Sequence, residues 1–306
     1  MKLVTYRAHV EAAATLGVLV ENRIVDVARL GEAFGEDLPD TMLGLIDAGP
    51  DALHLLGGMI EECGGHYPLH CATHAANVTL LAPIPRPRKN IFGIGLNYAA
   101  HIGESSRGLD TSKEVPKQPV IFSKPPTCVI GPGDAIRHNG AITAQLDWEV
   151  ELAAIIGTTA RRVAKADALA HVFGYAVMID VSARDNRRAG QWIYSKGMDS
   201  YAPFGPCIVT ADEIPDPQAL DLWLTVNGVE KQRSNTAKML FRVDDLVSDI
   251  SQGITLEPGD IIATGTPEGV GVGRDPQEWL RPGDTVVACV EGIGTLRHPV
   301  IDATDA

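Results

Sequence analysis

The stretch Leu146-Asp147-Trp148-Glu149-Val150-Glu151-Leu152 constrains this chain more than any other. In a strand, alternate side chains share a face, so Asp147, Glu149 and Glu151 point one way and the four apolar residues the other. The residues that follow, AAIIG, are apolar and carry such a strand into the interior. Carboxylates crowded on a buried face repel each other and lose hydration, at a cost of several kcal/mol unless a cation neutralises them. A divalent metal is the natural cation, although the spacing also admits a solvated edge strand with a polar outer face. Asp180 adds a third carboxylate at the end of the apolar strand VFGYAVMID, followed by Arg184 and Asp185. Three oxygen ligands with open positions suit Mg2+ or Mn2+, whereas Zn2+ favours His or Cys.

Around this segment the chain divides into a small amino-terminal domain (1–82), a proline-rich linker (83–90) and a larger domain (91–306). KLVTYRAHV, TLGVLV and RIVDVARL read as short strands, and two helical patterns separated by Gly49-Pro50 lie between Thr41 and Cys63. After the linker come strand-like runs divided by turns, including Pro-Gly-Asp at Pro132, Pro258 and Pro282 and Asn227-Gly228. One clear helix starts near Val243, with Val243, Leu246, Val247, Ile250 and Ile254 at helical intervals. Regular βαβ alternation is missing, which points to an α+β, predominantly β fold with a large mixed sheet.

With 39 acidic against 26 basic residues the net charge is −13, which repels phosphate backbones and argues against a nucleic-acid partner. No window approaches the roughly 18 apolar residues of a membrane span. Five scattered cysteines without a CxxC pair fit reduced thiols and a cytoplasmic location. An acidic chain that binds an acidic substrate needs a local cation, from a metal or from placed Lys and Arg.

Further candidates are His101 and Glu104, an HxxE pair able to meet on one helical turn, and Lys196 in YSKGMDSYAPFGP. Gly93-Ile94-Gly95 lacks the third glycine of a dinucleotide loop, and GTPEGVGVG (Gly265 to Gly273) lacks the GK[ST] of a phosphate loop. The latter reads equally as a wide turn or as a backbone-lined substrate rim with Thr266 as hydroxyl donor. The spacing of Cys63, His66, His70, Cys71 and His74 matches no standard zinc arrangement, and no GxSxG elbow occurs.

FGIGLNYAAH, IFSKPPTCVIGPGDAI, LDWEVELAAIIG, GYAVMIDVSARD, SKGMDSYAPFGP, VNGVEKQRSNT and ITLEPGDIIATGTPEGVG together resemble the fumarylacetoacetate hydrolase family. The resemblance covers about two-thirds of the chain, from Ile91 to the end. It implies a mixed β-roll with a small amino-terminal α/β domain, a central Mg2+ or Mn2+ and a homodimer. It further implies Glu149, Glu151 and Asp180 as metal ligands, and Lys196 facing the substrate. His101 with Glu104 would be a water-activating dyad on a mobile lid, and Arg184 and Thr266 would line the pocket. Trp148 stands where the family usually has Tyr. The expected reaction is hydrolysis of the C3–C4 bond of a 2,4-dioxo acid, such as fumarylpyruvate or maleylpyruvate, in aromatic-compound breakdown. Oxaloacetate decarboxylation and 2-hydroxyhepta-2,4-diene-1,7-dioate isomerisation use the same site chemistry, and a non-catalytic protein stabilised by its metal is the reading from another class.

Overall fold

Turn chemistry and strand-forming runs account for much of the architecture in the computed structural model, which describes residues 1–68, 70–108 and 114–305. The amino-terminal part supplies β1 (Lys2–Arg7), β2 (Thr15–Val20), β3 (Arg23–Asp26), α1 (Val27–Phe34), α2 (Met42–Cys63), β4 (Ala72–His74) and β5 (Thr79–Leu81). RIVDVARL is therefore a strand and a helix, not one strand. The Asp26 carboxylate accepts from the Arg29 backbone N–H and starts α1. Both helical patterns between Thr41 and Cys63 fall in α2, joined across a kink where Gly49 takes φ 79° ahead of Pro50.

Beyond the proline-rich stretch come β6 (Ile91–Gly95), α3 (Ala99–Gly108), β7 (Val120–Lys124), β8 (Val129–Ile130), β9 (Ile136–His138), β10 (Leu146–Asp147) and β11 (Val150–Ile156). These are followed by β12 (Val172–Ile179), β13 (Ser182–Ala183), α4 (Ile193–Lys196) and β14 (Ala202–Thr210). The last part holds β15 (Asp221–Val226), β16 (Val229–Asn235), α5 (Val243–Gly253), β17 (Ile261–Ala263), β18 (Thr285–Val290) and β19 (Gly294–Asp302).

The main sheet runs β4-β3-β2-β1-β14-β12-β11-β17-β6-β7, with β5 joined to β1 and β8 to β14. A second sheet runs β16-β15-β18-β19-β9. Most neighbours are antiparallel, but β17 with β6, β8 with β14 and β19 with β9 are parallel, so the sheets are mixed. The fold is α+β and predominantly β. Through the antiparallel pairing of β1 with β14, the amino-terminal strands extend the same sheet that contains β11 and β12. Both of those strands are buried along their whole length, with β15 and β18 packed near them. Their continuous apolar sequences are what a strand covered on both faces requires.

The three Pro-Gly-Asp triplets close turns of one kind. Gly133, Gly259 and Gly283 take φ of 85°, 87° and 99°, the left-handed backbone that a type II turn demands at its third position. In each, the Asp carboxylate accepts from the backbone N–H three residues earlier, at 2.8, 2.8 and 2.7 Å. Helix α5 buries Val243, Leu246, Val247 and Ile250, while Ile254 lies past its end and is exposed. Among the described residues no helix is long and apolar enough to cross a membrane.

Candidate active site

Antiparallel pairing brings the three carboxylates together. Val150 lies opposite Ile179, and the Asp180 N–H donates to the Glu149 carbonyl at 2.8 Å, continuing the β11–β12 ladder past both strand ends. Glu149 thus faces Asp180 across the pair, with Glu151 two residues along the same face. Ligand oxygens of Glu149, Glu151 and Asp180 lie within 4.8 Å of one another, and all three residues are buried.

Asp147 does not join them. The strand is interrupted at Trp148-Glu149, and Asp147 turns to the backbone N–H groups of Gly271 (2.6 Å) and Val272 (3.1 Å) and to Arg184 Nε (2.8 Å). A Cβ at Gly271 would lie 2.7 Å from Asp147 Oδ1 and 2.0 Å from the Glu278 carbonyl oxygen, so this approach needs glycine.

Three buried cations meet these four buried carboxylates. Lys196 Nζ donates to Glu149 Oε2 (2.7 Å) and Asp180 Oδ2 (2.6 Å). Arg184 bridges Asp147 and Glu149 Oε1. Lys124 Nζ donates to Asp180 Oδ1 at 2.5 Å and to the Lys196 carbonyl. Lys124 was not among the sequence candidates, although a charge ending the apolar run PVIFSK is the same signal that marks Asp180.

One negative charge is left over, and it falls on Glu151. Its Oε2 accepts the Gly265 N–H (3.0 Å), whereas its buried Oε1 has no hydrogen-bond partner among the described residues. Burial, then repulsion by Asp180 and Glu149, pushes the Glu151 carboxyl well above the usual range. Burial would also raise Glu149, but Lys196 and Arg184 outweigh it and hold that carboxyl well below. Lys196 is raised despite its burial, because Asp180 and Glu149 favour its charged form. An uncompensated oxygen within reach of two further carboxylates fits a divalent cation, and an all-oxygen donor set fits Mg2+ or Mn2+.

Glu149, Lys196 and Arg184 form one side of a cleft that encloses about 480 Å3 of space, its open mouth included. His101 on α3, Arg184, Arg187, Trp192, Lys196 and Thr266 all border it. His101 Nδ1 is 3.9 Å from Glu104 Oε2, an electrostatic contact longer than a hydrogen bond. Glu104 Oε2 also accepts the Gly269 N–H at 2.8 Å.

The glycine-rich loop therefore holds carboxylates with its backbone. N–H groups of Gly265, Gly269, Gly271 and Val272 serve Glu151, Glu104 and Asp147. Thr266 borders the cleft, but its hydroxyl donates to the Val150 carbonyl (2.9 Å) and accepts from Gln232 Nε2 (2.8 Å). Among the described residues, three metal-type ligand atoms converge at Glu149, Glu151 and Asp180 and not in the Cys63–His74 run. All five cysteines are free thiols.

Residues 90–301 match the family model of the fumarylacetoacetate (FAA) hydrolase C-terminal region. The chain is 41% identical over 226 residues to oxaloacetate tautomerase YisK of Bacillus subtilis, a match covering 74% of each. It is 38% identical over 306 residues to the mitochondrial oxaloacetate tautomerase FAHD2A of Bos taurus, covering 98% of this chain and 92% of the relative. Among solved structures it is similar to a maleylpyruvate hydrolase from Sphingobium sp. SYK-6 in complex with manganese(II) ion and pyruvate. That match has a TM-score of 0.78 and 31% identity over 99% of each chain.

Proposed function

This chain belongs to the fumarylacetoacetate hydrolase family, and on that premise we propose that it is a divalent-metal-dependent enzyme interconverting the keto and enol forms of a small 2-oxo acid, with oxaloacetate as substrate. The observation that carries the reading is the unmatched oxygen Glu151 Oε1 beside Glu149 and Asp180, with Lys196 and Arg184 on the same cleft. Two relatives named as oxaloacetate tautomerases, one matched over nearly the whole chain, support the choice of reaction.

Glu149, Glu151 and Asp180 would hold a divalent ion, whose Lewis acidity would make the C3 protons of a 2-oxo acid easier to remove. The chain's own groups do the rest. His101 accepts a proton from C3, and Glu104 favours the imidazolium that results. As the C3 electron pair moves toward the 2-oxo oxygen, Lys196 and Arg184 supply positive charge on that side of the cleft. His101 then delivers its proton to that oxygen, which completes the enol with no atom gained or lost.

Hydrolysis of an acylpyruvate at C3–C4 is the second reading. The His101–Glu104 pair at the cleft favours it, because attack by water needs a base, and so does the similarity to a maleylpyruvate hydrolase. The purified protein should be given enol oxaloacetate, maleylpyruvate and a simple acylpyruvate, each with Mg2+, Mn2+ or EDTA. The tautomerase reading expects metal-dependent loss of the enol absorbance without CO2 release, abolished in His101→Ala with metal binding retained. Pyruvate and a carboxylic acid formed in equal amounts from an acylpyruvate, with no effect on enol oxaloacetate, would move the assignment to hydrolase. Pyruvate and CO2 from oxaloacetate would move it to decarboxylase.

A further inference from the structure

The cleft is not charged throughout: Ile94, Gly95, Leu96 and Trp192 border it as well as Glu149 and Lys196. Trp192 caps α4 and Lys196 ends it, with the Lys196 N–H donating to the Trp192 carbonyl at 2.9 Å. Side chains four residues apart on such a turn share a face, so indole and ammonium line one wall of the cleft, about 5–6 Å apart at their Cβ atoms. Phe122 of β7 touches both, its ring centroid 5.0 Å from Lys196 Nζ and 5.4 Å from that of Trp192. The half-buried indole is held from three elements. A Cβ at Gly95 would lie 2.4 Å from its ring, so the ring rests on the backbone of β6, Phe122 packs against it with the rings tilted by 53°, and the Arg187 guanidinium lies 5.0 Å over it.

We propose that Trp192 sets the length of substrate this cleft accepts, admitting short 2-oxo acids and turning away longer tails. An oxo acid whose charged end sits on the floor sends its carbon tail toward the apolar side chains, where burial of the tail is favourable. The span from Lys196 to Trp192 equals about three or four carbon–carbon bonds of about 1.5 Å each. Oxaloacetate fits within it, whereas a longer acyl chain meets the indole. With a guanidinium over it and the Gly95 backbone against it, the ring is a stop and not a platform on which a tail could stack. The proposal rests on the 2-oxo acid reading above for the inner end of the substrate. It also separates the two readings given there, since the acylpyruvates are the longer acids.

The test compares Mn2+-loaded wild type, Trp192→Ala and Trp192→Phe on 2-oxobutyrate and 2-oxohexanoate, which differ only by two methylene groups in the tail. Turnover is followed as C3 hydrogen–deuterium exchange above the spontaneous rate, and affinity by calorimetry. In an open cleft the added methylenes would tighten binding roughly tenfold. The wild type should instead favour 2-oxobutyrate in both assays. In Trp192→Ala the kcat/KM of the longer acid over the shorter should rise roughly 10–100-fold, the usual worth of a methylene group or two in a shaped pocket. Trp192→Phe should raise it less, because a smaller ring opens less space, and it gives the same sign should the alanine variant not fold. Taking the ratio cancels any general loss of activity. If wild type exchanges neither acid, the enolate reading fails, and the affinity ratio alone decides the role of Trp192. A ratio that stays within about threefold of wild type in both assays overturns the proposal. So does a ratio that falls in Trp192→Ala, which would show that the indole supports the tail.

Discussion

In the buried floor beneath the cleft, Lys124, Lys196 and Arg184 each face carboxylates; in the outer wall formed by the segment after β13, Arg187 and Arg188 lie over aromatic rings. The floor groups are buried and share partners: Asp180 serves two lysines, and Lys196 and Arg184 each serve two acids. Removing one such partner leaves another charge stranded in a medium that cannot solvate it. The wall is half-buried to exposed, and its cations keep contact with water. A change there costs little stability. Floor and wall thus divide by what a substitution costs.

The strongest test of that division is Asp180→Ala. It strands Lys124 and takes one of the two carboxylates from Lys196, and should destabilise the protein by roughly 3–5 kcal/mol in urea unfolding, with metal-dependent turnover lost. Stability equal to wild type would mean the floor is not an interdependent cluster. Glu151→Gln should act in the opposite direction on the metal-free protein, because it removes the buried carboxyl whose Oε1 has no hydrogen-bond partner among the described residues. With EDTA present its Tm should equal or exceed that of wild type, while Mn2+ affinity measured by calorimetry falls at least tenfold, on the order of what altering a metal site costs. Lower stability in EDTA would show that Glu151 is neutralised by some other group.

The smallest effect belongs to the wall. Burial opposes ionisation of Asp185, but the Thr143 hydroxyl and the Ala144 N–H outweigh it and lower its pKa. Its carboxylate is thus more acidic folded than unfolded, and its contribution is present above the unfolded value of about 4 and is lost as pH falls through the folded pKa. Because the group is exposed, Asp185→Asn should cost less than about 1 kcal/mol, and only above that window. Urea midpoints of wild type and variant should converge as pH drops below about 4. A difference that persists at low pH would assign the effect to packing instead of charge.

Alternation in LDWEVEL placed Glu149 and Glu151 on one face, and the apolar run before Asp180 marked a charge at a strand end. The same alternation misplaced Asp147, because its carboxylate accepts the Trp148 N–H (2.8 Å) where the strand is interrupted. RIVDVARL was misread for a related reason, with Asp26 capping a helix inside what looked like one strand. Both errors are local side-chain bonds that compete with the ladder, and a period-2 pattern does not record them. The glycine-rich loop was equally opaque: its work is done by N–H groups, which every non-proline residue carries, and glycine shows only that something passes close by.

The amino-acid sequence alone determined that Glu149 and Glu151 share a face, where the Pro-Gly-Asp turns fall and which family motifs are present, since these depend on neighbours in the chain. Only the tertiary structure decided that Lys124 and Lys196, 56 and 16 residues from Asp180, share its two oxygens, that Arg184 spans Asp147 and Glu149, and that Glu151 is left uncompensated. Charge balance is settled by distance and by exclusion of water, and both are properties of the packed strands and loops, not of spacing along the chain.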